Sequence, residues 1–201
     1  MTERFEPPAL PPSVRRVIPQ FRFFGWASFW VQLVLAVIAS LIFVFAGFSA
    51  SVRAPGGGTA ANSAGSGPGI LFAVLGLIAL GVSIYWSFRY TRLALQLQSA
   101  NPNLRPKRAT AANLLRQGLM LNLAGMSFSL IGAEAIAGIL FGKILSQPQG
   151  GFVLNDPSAY TRIIQPVDIF VVLGNTHITF AHFIGILTSL WLITWLNKDE
   201  G

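Results

Sequence analysis

Cysteine is missing from this chain, which excludes disulfides, thiolate metal centres and iron–sulfur clusters. Charge is scarce too. Asp, Glu, Lys and Arg make up 10% of the 201 residues, against about 25% in a soluble domain. A water-facing surface cannot be built from so few charges. There is also no HExxH pair and no nucleophile elbow, and the Gly56–Gly58 run lacks the lysine of a phosphate loop. No catalytic set converges, so neither enzyme activity nor a cofactor is expected.

What remains is apolar. Hydrophobic residues make up 53% of the chain, and the mean hydropathy is +0.60. Charge-free runs extend from Phe23 to Val52, from Ala54 to Phe88 and from Ile169 to Asn197, and between Arg116 and Lys143 the one charge is Glu134. Each run exceeds the roughly 20 residues that carry a helix across a bilayer. The first begins too late, and is too long, for a cleaved secretory signal. An all-α integral membrane protein is expected, with four transmembrane helices at about 24–48, 70–88, 119–141 and 178–196.

Residues 1–22 read as an N-terminal tail that becomes an interfacial helix near Ser13, with Pro11 and Pro12 ahead of it, and 23–201 read as the four-helix domain. The stretch "RAPGGGTAANSAGSGPG" has no core to bury and reads as a flexible loop. "SANPNLRPKR" reads as a turn, marked by Asn101-Pro102 and Arg105-Pro106, and a third helix follows from Ala109 or Thr110. "VDIFVVLGN" ends in Gly174-Asn175 and is expected to form a short interfacial helix ahead of the last span.

Of the 14 basic residues, all but Arg53, Lys143 and Arg162 flank one side of these spans. The positive-inside rule puts that side, with both termini, in the cytoplasm. The net charge of +7 is thereby assigned to topology, and nucleic acid is not an expected partner.

The ionisable groups inside the spans are few. With span midpoints near Leu130 and Leu187, Glu134 and His182 lie about 6 Å and 7–8 Å to the outer side. Small residues at helical spacing, Ala133, Ala137, Gly138 and Gly142 on the third span and Ala181, Gly185 and Ser189 on the fourth, permit close packing. Glu134 is therefore expected to meet His182, either as an ion or proton site or as an interhelical hydrogen bond. His177, with Asn175 and Thr176, is expected to cap the last span. Its position about 140° from His182 keeps the two from sharing a metal, and no metal site is assigned. Asn122, Gln32 and Ser83 are further intramembrane polar groups, expected to pack between helices.

Three segments, "FFGWASFWVQLVLAVIASLIFVFA", "RQGLMLNLAGMSFSLIGAEAIAGILFGKIL" and "DIFVVLGNTHITFAHFIGILTSLWLI", resemble a family of four-span membrane proteins from cyanobacteria with relatives in the chloroplast inner envelope. Two roles have been assigned to the plant relatives, a component of the preprotein-import translocon and an iron permease. The resemblance implies a transport-related protein in the plasma or thylakoid membrane of a cyanobacterium-like cell. A permease would have an iron ion as substrate and would favour a homo-oligomer. The alternative is an accessory or assembly subunit of a larger translocon or photosynthetic complex. In either case the lipid bilayer is a partner, and the family brings no established site residues.

Overall fold

In hydrocarbon every backbone N–H and C=O must find its partner within the segment, and the four apolar runs do so as helices. The computed structural model describes residues 12–53, 67–99, 101, 105–146 and 163–197. They form α1 (Pro12–Arg53), α2 (Pro68–Leu97), α3 (Arg108–Leu145) and α4 (Pro166–Asn197). Among the described residues there is no strand. Prolines open α1, α2 and α4, where a missing N–H costs nothing and the fixed φ suits the helix. The loop expected at 54–66, residues 1–11 and most of the polar connection before α4 lie outside the described residues.

All four helices are long and apolar enough to span a membrane, and the protein is an integral membrane protein. At 30 to 42 residues they are about 45–63 Å long, more than a hydrocarbon core of about 30 Å requires. The helices pack as a ring in chain order, α1 on α2, α2 on α3, α3 on α4 and α4 on α1, with a weaker α2–α4 diagonal. This is an up-down-up-down bundle. One end, here the basic end, brings together the start of α1, the end of α2, the start of α3 and the end of α4.

Hydropathy has almost no helical period in these segments, because the outer faces are as apolar as the inner ones. Burial does have one. On α2 the buried positions Gly69, Ala73, Gly76, Leu80, Ser83, Ser87, Tyr90, Ala94 and Leu97 alternate in steps of four and three. α3 repeats the pattern with Gly118, Asn122, Gly125, Ser129, Gly132 and Ile136, and α4 repeats it from Val171 to Leu196. A mean step of 3.5 is the seam of supercoiled helix packing. The seam residues are mostly small, as close packing in lipid requires.

Two sequence expectations are corrected. Gly174-Asn175 does not end a separate interfacial helix, since α4 is continuous from Pro166. Gly174 instead lets α1 approach: an added Cβ would sit 2.9 Å from the Phe43 ring and 3.0 Å from Ile42. Residues 12–22 are the first turns of α1. Val17, Ile18 and Phe21 are buried there in one cluster with Leu97, Leu114 and Leu196.

The seam gives a direct test. A Cβ on Gly132 would lie 3.0 Å from the Ala73 nitrogen and 3.1 Å from the Gly69 oxygen, backbone atoms with no freedom to move aside, whereas Gly81 has nothing within 4 Å. Gly132→Ala is expected to destabilise the bundle by about 1–3 kcal/mol, and Gly81→Ala to stay within about 0.5 kcal/mol. Thermal unfolding in detergent micelles measures both.

Candidate functional site

At mid-height the seam residues become polar. The midpoint of α1 falls between Gln32 and Leu33, that of α2 between Val82 and Ser83, and that of α4 between Ala181 and His182. Gln32, Ser83 and His182 therefore meet at one level, joined by Asn122 from α3. All four are buried, three with no exposed surface and Asn122 with 2%.

Asn122 is the hub. Its Nδ2 donates to the Gly118 carbonyl at 2.8 Å, which fixes the amide orientation and turns Oδ1 toward the centre. That oxygen accepts the Ser83 hydroxyl at 2.7 Å, lies 3.1 Å from His182 Nδ1 and receives a longer contact from Gln32 Nε2 at 3.4 Å. Gln32 Nε2 also donates to the Ala181 carbonyl at 3.2 Å, and its Oε1 accepts from Ser87 at 3.1 Å. Ser87 has one proton and gives it to Gln32, so Ser28, 3.2 Å away, donates to Ser87.

Two glycines make the room. A Cβ on Gly125 would overlap the His182 imidazole, and one on Gly185 would overlap the Asn122 and Gln32 amides. Large polar side chains are thus accommodated where two helices lack side chains of their own. The His182 ring faces two acceptors, Asn122 Oδ1 and, at 3.1 Å from Nε2, the Gly76 carbonyl. A neutral imidazole has one N–H and satisfies only one of them, and a second proton would satisfy both.

Glu134 and His182, expected as partners, are apart. His182 packs against Gly125, nine residues before Glu134 and so about 13 Å along α3. Glu134 is exposed on the outer face of that helix. The physical cause is register. Starting the third span at Leu119 rather than Arg108, and the last at Ile178 rather than Pro166, moved both midpoints and brought Glu134 falsely level with His182. The outer part of α3 pairs differently, with Asn175 Nδ2 donating to the Ser129 carbonyl at 2.9 Å and Thr179 donating to the Ser129 hydroxyl at 3.0 Å. Asn175 Oδ1 is buried with no partner among the described residues.

His177 is not a cap, since α4 begins well before it; its Nδ1 lies 2.7 Å from the Leu173 carbonyl of its own helix. Of the expected packing residues, Ala181, Gly185 and Ser189 are buried. Ala133 is half-buried, whereas Ala137, Gly138 and Gly142 are exposed and face away from α4.

One pair escaped the sequence reading. Lys143, assigned there to topology, sits in the last turn of α3 and donates to Asp168 at 2.6 Å, with side chains 7% and 0% exposed. The same carboxylate oxygen accepts the Gln165 N–H at 2.9 Å, so it also closes the first turn of α4 in the manner of a capping box. The signal was available: the one acidic residue in the first turn of α4 faces the one basic residue in the last turn of α3.

This seam and its polar centre span the part of the chain for which relatives exist. A family model described as "Protein of unknown function (DUF3611)" matches residues 11–197, which takes in all the membrane helices. The chain belongs to the DUF3611 family. Among curated proteins, this DUF3611 member is 32% identical over 176 residues to "Protein TIC 21, chloroplastic" of Arabidopsis thaliana. That match covers 86% of this chain and 55% of the plant protein, so the chain spans about half of that relative's length. No solved structure matches this DUF3611 chain.

Asn122→Leu keeps the volume but removes the hub. With three interhelical contacts at about 0.6 kcal/mol each in lipid, a loss of roughly 2 kcal/mol is expected. Ser127→Ala, which removes a bond from an exposed hydroxyl to its own helix, should cost less than about 0.5 kcal/mol. Equilibrium unfolding in mixed micelles compares the two. By the same assay Lys143→Met leaves the Asp168 charge buried and should cost about 3–5 kcal/mol, and adding Asp168→Leu should recover most of it.

Proposed function

We propose that this chain is a transport-related membrane subunit that docks another transmembrane helix on the outer face of α3, and is not a self-contained permease or an enzyme. One observation carries the reading. Glu134, Gly138 and Gly142 follow one another at four-residue steps on an exposed face, and neither glycine has any atom within 4 Å of where a Cβ would stand. Gly138 and Gly142 form a literal GxxxG, the spacing that lets two helix backbones approach in lipid.

Glu134 lies twelve residues, about 18 Å, outward of the Asn122 level at mid-height, at the edge of a hydrocarbon half-thickness of about 15 Å. A carboxyl group there is favoured against protein or water rather than against acyl chains. A second helix on this face would supply a partner for Glu134 and cover both glycines. The central groups support the same reading, because Gln32, Ser83, Asn122 and His182 bond to one another across all four helices. The positive-inside rule supports a cytoplasmic basic end, and the family resemblance implies the plasma or thylakoid membrane of a cyanobacterium-like cell. Of the two roles held by the chloroplast relatives, the translocon-type one fits this architecture better than the iron permease.

The chain's lack of cysteine makes single-cysteine crosslinking in native membranes clean. Gly138→Cys is expected to give a discrete adduct and Gly81→Cys, on an open face of α2, none. An adduct of twice the monomer mass identifies the helix as a second copy, and any other discrete mass identifies a different subunit. Equal yields at the two positions would overturn the proposal, as would saturable ferrous-iron uptake into proteoliposomes that hold this chain alone.

A further inference from the structure

At the basic end, an open groove of about 300 Å³ runs between α2 and α3. Arg89, Arg92 and Gln96 line it from α2, and Thr110, Asn113 and Gln117 from α3. Its floor is apolar, formed by Leu93 and Leu114, which are 4% and 8% exposed. We propose that this groove is a binding site for an anionic lipid, its headgroup phosphate held by Arg89 and Arg92 and its glycerol end resting on the leucine floor.

Charge, depth and shape each support the assignment. Both arginines are exposed, and among the described residues the carboxylates are Glu134 and Asp168, which lie toward the opposite end of the bundle. No acidic side chain in the described structure is therefore available to neutralise the groove. The guanidinium of Arg89 lies 5.3 Å from the Trp86 ring and that of Arg92 lies 5.1 Å from the Phe88 ring. These cation–π contacts hold the two charges in position while leaving their N–H donors for an acceptor. The amides of Gln96, Asn113 and Gln117 and the Thr110 hydroxyl add neutral polar groups around the same space.

Depth selects the lipid over a soluble anion. Measured from the level where Ser83 meets Asn122, Arg89 and Arg92 lie about 10 and 14 Å out on α2 with Gln96 at about 20 Å, and Gln117, Asn113 and Thr110 about 8, 14 and 18 Å out on α3. Hydrocarbon ends at about 15 Å and headgroups extend to about 20–22 Å, so the groove straddles the boundary where lipid phosphates lie. Arginine suits the ligand, because its planar fork matches phosphate oxygens in pairs. About one turn deeper on α2, the Trp86 indole N–H is buried without an acceptor among the described residues.

The test uses the full chain, delipidated in detergent. Retention of phosphatidylglycerol is read by native mass spectrometry and set beside phosphatidylcholine and inorganic phosphate. Phosphatidylglycerol is expected to bind selectively. R89Q/R92Q should weaken it roughly ten- to thirty-fold, the scale of two basic residues at a charged membrane surface. R15Q/R16Q removes the same charge from exposed positions on α1 at the same end, and should leave the affinity unchanged. R89K/R92K should fall between wild type and R89Q/R92Q, since it keeps charge but loses the fork, and it serves as the folded control. Equal losses in the two glutamine pairs would reduce the effect to bulk charge and overturn the site. Equal retention of phosphatidylcholine would overturn the need for an anion, and phosphate binding without lipid binding would overturn the lipid.

Discussion

Lipid removes the hydrophobic drive between helices, because an acyl chain is as apolar as a leucine. What holds this bundle together is therefore how closely its backbones approach, and the seam of Gly, Ala and Ser at alternating steps of four and three sets that distance. The rest of the architecture depends on it. Where Gly125 and Gly185 leave space, the neighbouring helices place an imidazole and two amides, and those polar groups lock the register that the smooth seam alone would leave free to slide. Small residues give proximity, and the Asn122 hub gives position.

The composition of the core changes along the bundle axis for the same reason. At the basic end Val17, Phe21, Leu97, Leu115 and Leu196 form a cluster of large apolar side chains contributed by all four helices. There the helices run beyond the hydrocarbon, water returns, and burying a leucine is favourable again. At mid-height the apolar cluster shrinks to Ala39, Leu80, Ile178 and Ala181, beside the hydrogen-bonded centre. At the opposite end the Lys143–Asp168 pair closes α3 onto α4. At the basic end Arg108 reaches from the start of α3 to donate to the Leu196 carbonyl of α4, so the α3–α4 seam is fastened at both ends and in the middle.

The four spans were legible because charge is so scarce: long charge-free runs leave no other reading. The start of α4 was not, since Gly174-Asn175 has the composition of a helix stop, and only the tertiary fold reveals that Gly174 admits Phe43 and that the Asn175 amide crosses to Ser129. That boundary, together with a start of α3 eleven residues before the expected span, displaced the register and with it the expected Glu134–His182 contact. The inner face of α4 was readable from Ala181, Gly185 and Ser189, which are all buried. On α3 the same logic picked the wrong stripe. That helix carries two series of small residues, Gly118, Gly125 and Gly132 inward and Gly138 and Gly142 outward, and hydropathy with no period cannot tell them apart.

Those two series separate two demands on one helix. The inner glycines are filled, each meeting an imidazole, a phenol or a neighbouring backbone within contact distance of its missing side chain. The outer glycines meet nothing, and beside them stands the exposed Glu134 carboxyl group, which the bundle does not enclose. The fold is able to bury an acid: it does so completely for Asp168, with an ammonium and a backbone N–H on the same oxygen. Leaving Glu134 outside is therefore not a limit of this architecture. An exposed carboxyl group beside glycines that meet nothing marks the face of α3 that the four helices leave open.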